Sequence, residues 1–155
     1  MKEERYNSLI KFYAEMYQLD WLLLKAQMKV ENYFNINEQR KYSESAAFFF
    51  GQLASQDRNE KLKDNLKEII GIKAKYLSQL LKKFNGNKIK TFAAIDLGIY
   101  NSNELLKTNK NTDFVELIPK ETHNYIIRID KIYRKYKHKE YLDRVKKRNN
   151  ILTKN

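Results

Sequence analysis

No cysteine occurs anywhere in these 155 residues, which excludes disulfides and thiolate metal sites and points to a reducing compartment. Proline occurs once and glycine four times. With so few chain breakers, long helices are favoured over a many-turned β fold. The longest apolar runs, such as WLLL at 21–24, fall far short of the roughly 20 residues a bilayer-spanning helix needs. The opening MKEERYNSL mixes charges and lacks the apolar stretch of a signal peptide. Catalytic signatures are scarce too: there are two histidines, no HExxH, no phosphate-binding loop and no GxSxG. These absences predict one cytoplasmic all-α domain over residues 1–155, a compact bundle of about five to six helices with no catalytic centre, cofactor or metal.

What is present supports a packed core. Apolar residues make up 42% of the chain and aromatics 13%, a composition that argues against disorder. The net charge of +12 is uneven. Residues 73–90 hold six lysines and no acid, giving +6, and residues 131–155 hold ten Lys/Arg against two acids, giving +8. The remainder is close to neutral at −2. A neutral scaffold with two basic segments suits a polyanionic partner; the plainer reading is a solvated lysine-rich surface.

Apolar spacing predicts a first helix from near Lys2 to Tyr33, bent near Asp20, on Leu9, Ile10, Tyr13, Met16, Tyr17, Trp21, Leu24 and Met28. A second ends near Gln56. A third, Arg58 to Ile70, is expected to stop at Gly71, and a fourth runs from Lys73 to Phe84, stopped by Asn85-Gly86-Asn87. A fifth covers 88–99. The polar stretch 101–113 reads as a loop, and Pro119 precedes a last helix that runs from Glu121 into a basic tail, free to fray from about residue 138.

The second helix holds three consecutive phenylalanines, Phe48 to Phe50, which span about 200° of a helix and cannot share one face. Ala47, Gly51 and Ala54 form a stripe of small side chains that lets a neighbouring helix approach closely. This helix is therefore expected to be central, with Ser45, Gln52 and Gln56 as its polar strip. A membrane-surface helix would want a clean apolar face flanked by Lys/Arg, which it lacks.

The fourth helix sets Tyr76, Leu77, Leu80, Leu81 and Phe84 on an apolar face. Lys75, Gln79 and Lys82 lie opposite at i, i+4 and i+7, with Lys83 beside them and Lys88 and Lys90 just past the turn. The last helix repeats this design: Tyr125, Ile129, Ile132, Tyr133 and Tyr136 face inward, and Arg128, Lys131, Arg134 and Lys135 face out. Such rows, with Gln79 and Gln52 adding neutral hydrogen bonds, suit a phosphate backbone. No base-reading motif accompanies them, so binding is expected to be independent of sequence.

The strings AAFFFGQLASQ (46–56), KAKYLSQLLKKFN (73–85) and FAAIDLGIYN (92–101) resemble the C-terminal helical region of type I-B CRISPR large subunits. There an apolar helix bearing F-x-x-G-Q-L precedes helices that end in an aromatic and a tyrosine near a glycine. The same region is also made as a separate small subunit of the Cascade surveillance complex. The resemblance covers about a third of the chain, roughly residues 45–101. It implies a non-catalytic bundle that works with other Cascade subunits and further copies of itself, holding the guide RNA–DNA duplex and the displaced DNA strand, with no role at a membrane.

Two other classes fit parts of the chain. A stand-alone phage or nucleoid single-strand-binding protein shares the charge pattern. Helical ribonucleases of the HEPN family carry an arginine and a histidine on a late helix, as Arg134 and His138 stand here. Their motif places at least four residues between the pair, and this chain has three.

Overall fold

Three helices among the described residues start on a side-chain cap, from Asp20, Asn87 or Asp113. The structure, a computed structural model, describes residues 4–31, 66–108 and 113–152. Within them 88% of residues are helical and none is in a strand. A 3₁₀ turn at Glu4–Tyr6 leads into α1 (Asn7–Met16); α2 (Trp21–Val30), α3 (Leu66–Lys83), α4 (Lys88–Leu97), α5 (Ile99–Thr108), α6 (Phe114–Leu117) and α7 (Lys120–Leu152) follow. The proposed second helix, with Phe48 to Phe50, Gly51 and Gln52, lies outside the described residues.

The long first helix is two helices. Gln18 takes a left-handed φ of 57°, and the Leu19 amide donates back to the Ala14 carbonyl at 2.7 Å, closing α1. Asp20 then caps α2, its carboxylate accepting from the Leu22 amide at 2.9 Å. The α3–α4 turn is built the same way. Asn85 (φ 51°) and Gly86 (φ 79°) are left-handed, Gly86 donates to Leu81, and the Asn87 side chain accepts from the Lys90 amide.

Two further boundaries differ from those expected. Gly71 does not end a helix: α3 runs through it, so the last turn of the expected third helix is continuous with the fourth, while residues 58–65 lie outside the described residues. A Cβ on Gly71 would stand 2.9 Å from the Tyr13 ring, so this glycine marks the close crossing of α3 and α1. Residues 101–108, expected as loop, belong to α5, which folds back on α4 after Gly98 (φ 83°). Its inward residue Ser102 is buried but small and polar, so apolar spacing could not announce it.

The core lies where α2 meets its neighbours. Leu24, Met28, Ile70, Leu77, Phe92 and Ile129 are fully buried there. α7 packs on α2 and α4; α3 packs on α1, α2 and α4, so α2 and α4 stand between the two basic helices. At 33 residues α7 is about 50 Å long and remains helical to Leu152. No helix among the described residues is long and apolar enough to cross a membrane.

Candidate nucleic-acid interface

Polar bonds orient the two basic helices. At one end Glu31 accepts from the Lys73 ammonium of α3 and from the Tyr125 hydroxyl of α7. At the other, the Ser78 hydroxyl of α3 donates to the Tyr17 carbonyl, and the Tyr133 hydroxyl of α7 donates to Asp20. α3 and α7 therefore run in the same direction, and the basic C-terminal turn of α3 lies at the Asp20 end. Burial raises the Tyr125 hydroxyl well above the ordinary phenol range, with the Glu31 carboxylate adding to it.

The row on α3 is open to solvent. Lys75, Gln79, Lys82 and Lys83 are all exposed, and none of these lysines meets a carboxylate among the described residues. Leu77 and Leu80 behind them are buried, so the strip sits on a rigid support. Lys82 and Lys83 also occupy the last turn of α3, where cations favour the helix dipole.

Past the turn, Lys88 is exposed and sets its ammonium 4.5 Å from the centre of the Tyr133 ring. Arg134 follows on α7, lining with Lys88 the same apolar groove of about 290 Å³. Lys88 thus joins the α3 row to the α7 row at the Asp20 end. Lys90 is half-buried, 5.9 Å from the Phe114 ring, and is set back from the row.

On α7, Arg128, Lys131, Arg134 and Lys135 are exposed. Two are partly engaged: Arg128 donates to the Val30 carbonyl at 3.4 Å, and Arg134 Nε is held by Asp130 at 2.7 Å. Lys131 and Lys135 meet no carboxylate among the described residues. Gln52 lies outside them.

Asp20 organises this end. Burial pushes its carboxyl up, but the Tyr133 hydroxyl, the Lys137 ammonium and the Leu22 amide outweigh burial, and its pKa falls below the ordinary carboxylate value. The Tyr133 hydroxyl is pushed up to about 12, by burial first and then by the Asp20 carboxylate. Lys137, 3.1 Å from Asp20, has its charge paired within the protein.

The Arg134–His138 pair has little around it. Both side chains are exposed, Arg134 is committed to Asp130, and His138 lines neither the groove beside Lys88 nor the cleft beside Trp21. Among the described residues no group of three His, Asp or Glu side chains is placed to hold a metal ion.

The pattern reading missed the pairing of charges. Lys73 counted as a surface cation, yet it is buried against Glu31. Its place beside the apolar Ala74 and Leu77 on the inward side of α3 is the signal that sets it apart. No protein-family model, curated protein or solved structure matches this chain.

Proposed function

We propose that this chain is a non-catalytic, sequence-independent nucleic-acid-binding protein of the cytoplasm, working as a small subunit of a CRISPR surveillance complex. Its role is to steady the guide RNA–DNA duplex and the displaced DNA strand beside other Cascade subunits and further copies of itself. The observation that carries the binding role is the run of exposed lysines without carboxylate partners among the described residues, Lys75, Lys82 and Lys83, continued by Lys88 toward Arg134 at one end of the bundle. Ammonium groups on rigid helices bind phosphates without reading bases. Target unwinding is a near-balanced exchange, so modest contacts of this kind can tip it. The subunit assignment rests on the resemblance of residues 45–101.

Affinity for two unrelated DNA sequences, measured at several salt concentrations with the free protein and with its complex, tests this reading. Similar affinities and a steep salt slope are expected, weak for the free chain and stronger in the complex. Tight binding by the free chain would favour a stand-alone single-strand binder. RNA and DNA should stay intact; cleavage abolished by His138→Ala with the fold unchanged would move the assignment to a HEPN-like ribonuclease.

A further inference from the structure

The inward side of α7 borders a second feature, separate from the outward rows. Asn7 and Lys11 of α1, Trp21 and Lys25 of α2 and Tyr136 of α7 line a cleft of about 350 Å³, a volume suited to a small organic ligand. α7 beyond Tyr136 completes the lining, with Arg144 and Lys147 among its residues.

Three observations limit what this cleft would hold. First, its two large rings keep cations over their faces. The Lys11 ammonium is 4.4 Å from the Trp21 ring centre, and the Lys25 ammonium is 4.7 Å from the Tyr136 centre and 5.8 Å from Trp21. Lys11 is exposed on a flexible stem, so a planar group can take its place over the indole. Second, Lys25 is a buried cation, only 5% exposed, beside that indole. Third, the Asn7 Oδ1 is buried with no hydrogen-bond partner among the described residues, and buried polar atoms almost always have one. The lining holds five Lys/Arg and three Asp/Glu side chains. That surplus suits one phosphate and not a triphosphate.

We propose that this cleft binds a nucleoside 5′-phosphate, free or at the end of an unpaired strand. The base stacks on Trp21, the half-buried Asn7 side chain turns its amide toward the base or ribose to hydrogen-bond it, and Lys25 and Lys147 attract the phosphate. Lys147 meets no carboxylate among the described residues, whereas Arg144 is held by Glu140. The cleft does not depend on the outward rows.

Trp21 is the only tryptophan, so intrinsic fluorescence of the full chain reads the cleft directly. The expected result is saturable quenching by adenosine monophosphate, at least tenfold tighter than by adenosine or by inorganic phosphate. Lys25→Met should weaken it by roughly tenfold or more, as loss of a charge-assisted contact does. Because Lys25 is buried, Lys147→Ala on the exposed helix is the second variant, with a loss of about threefold and unchanged circular dichroism. Lys82→Ala/Lys83→Ala should leave quenching untouched. At a salt concentration that suppresses backbone contacts, a 5′-phosphorylated oligonucleotide that quenches where its 5′-hydroxyl twin does not identifies a strand end. Quenching by adenosine monophosphate alone identifies a free nucleotide. No saturable quenching, equal affinity for inorganic phosphate, or equal affinity in both cleft variants would overturn the proposal.

Discussion

α3 and α7 are both basic, but they hold their charge differently. α3 buries Ile69, Ile70, Ala74, Leu77 and Leu80 against three helices and turns one cation inward, Lys73 to Glu31. Lys75, Lys82 and Lys83 are left exposed with no acidic neighbour among the described residues. α7 packs on α2 and α4 and spends several charges within the protein: Arg134 on Asp130, Lys137 on Asp20, Lys139 on Glu4 and Arg144 on Glu140. The difference teaches that density of Lys and Arg does not locate an interface. What counts is cation density minus the carboxylates within reach, and by that measure the C-terminal end of α3 is the stronger candidate.

The largest expected effect breaks the inward side of the comparison. Lys73→Ala strips Glu31 of its buried partner and should cost about 3 kcal/mol in chemical denaturation. A variant as stable as the parent would mean that Lys73 is a surface lysine after all. Next comes the crossing of α3 on α1. Gly71→Leu should lose about 1–3 kcal/mol by forcing the Tyr13 ring aside, and Gly71→Ala less, because alanine regains helix propensity.

Asp20→Ala removes a helix cap together with the partner of Tyr133 and Lys137, for about 1–2 kcal/mol. The pKa of Asp20 is lowered by folding, so its contribution is present above the ordinary aspartate value and is lost as pH falls through the folded value. Unfolding followed from neutrality downward should show a shallower acid limb in the variant, beginning at about pH 4. An unchanged limb would mean that Asp20 does not hold this end of the bundle.

The smallest effect on stability sharpens the outward side. Lys82→Ala/Lys83→Ala should change stability by less than about 0.5 kcal/mol. It should flatten the log–log salt slope of nucleic-acid binding by about 1.4–1.8, equally for unrelated sequences. Lys137→Ala/Lys139→Ala, which removes cations already paired with Asp20 and Glu4, should flatten it less. Equal slopes for the two double variants would erase the distinction between paired and unpaired charge.

Local chemistry made part of the molecule legible. Asp20, Asn85-Gly86-Asn87 and Pro119 act within a few residues of themselves, so a bend near 20, which the structure makes a full break, a stop at 85–87 and a helix start near 120 could be read directly. The apolar spacing of Leu77, Leu80, Ile129 and Ile132 likewise separated inner from outer faces on α3 and α7. Gly71 misled because a mid-helix glycine and a stop glycine look alike until a neighbour arrives, here the Tyr13 ring. α5 misled because its buried Ser102 gives no apolar signal.

The sequence by itself determined the helical class, the positions of the strongest caps and the faces that carry unbroken lysine rows, since all three depend on residues within one or two turns of each other. Only the tertiary structure decided which cations remain available. Lys73 finds Glu31 42 positions away, and Lys137 finds Asp20 117 away. It also brought Lys88 onto Tyr133, joining the two rows, and gathered Asn7, Trp21, Lys25 and Tyr136 around one cleft. Ion pairs and clefts form between segments remote in the chain, and their geometry is set by how α2 and α4 space the helices packed on either side.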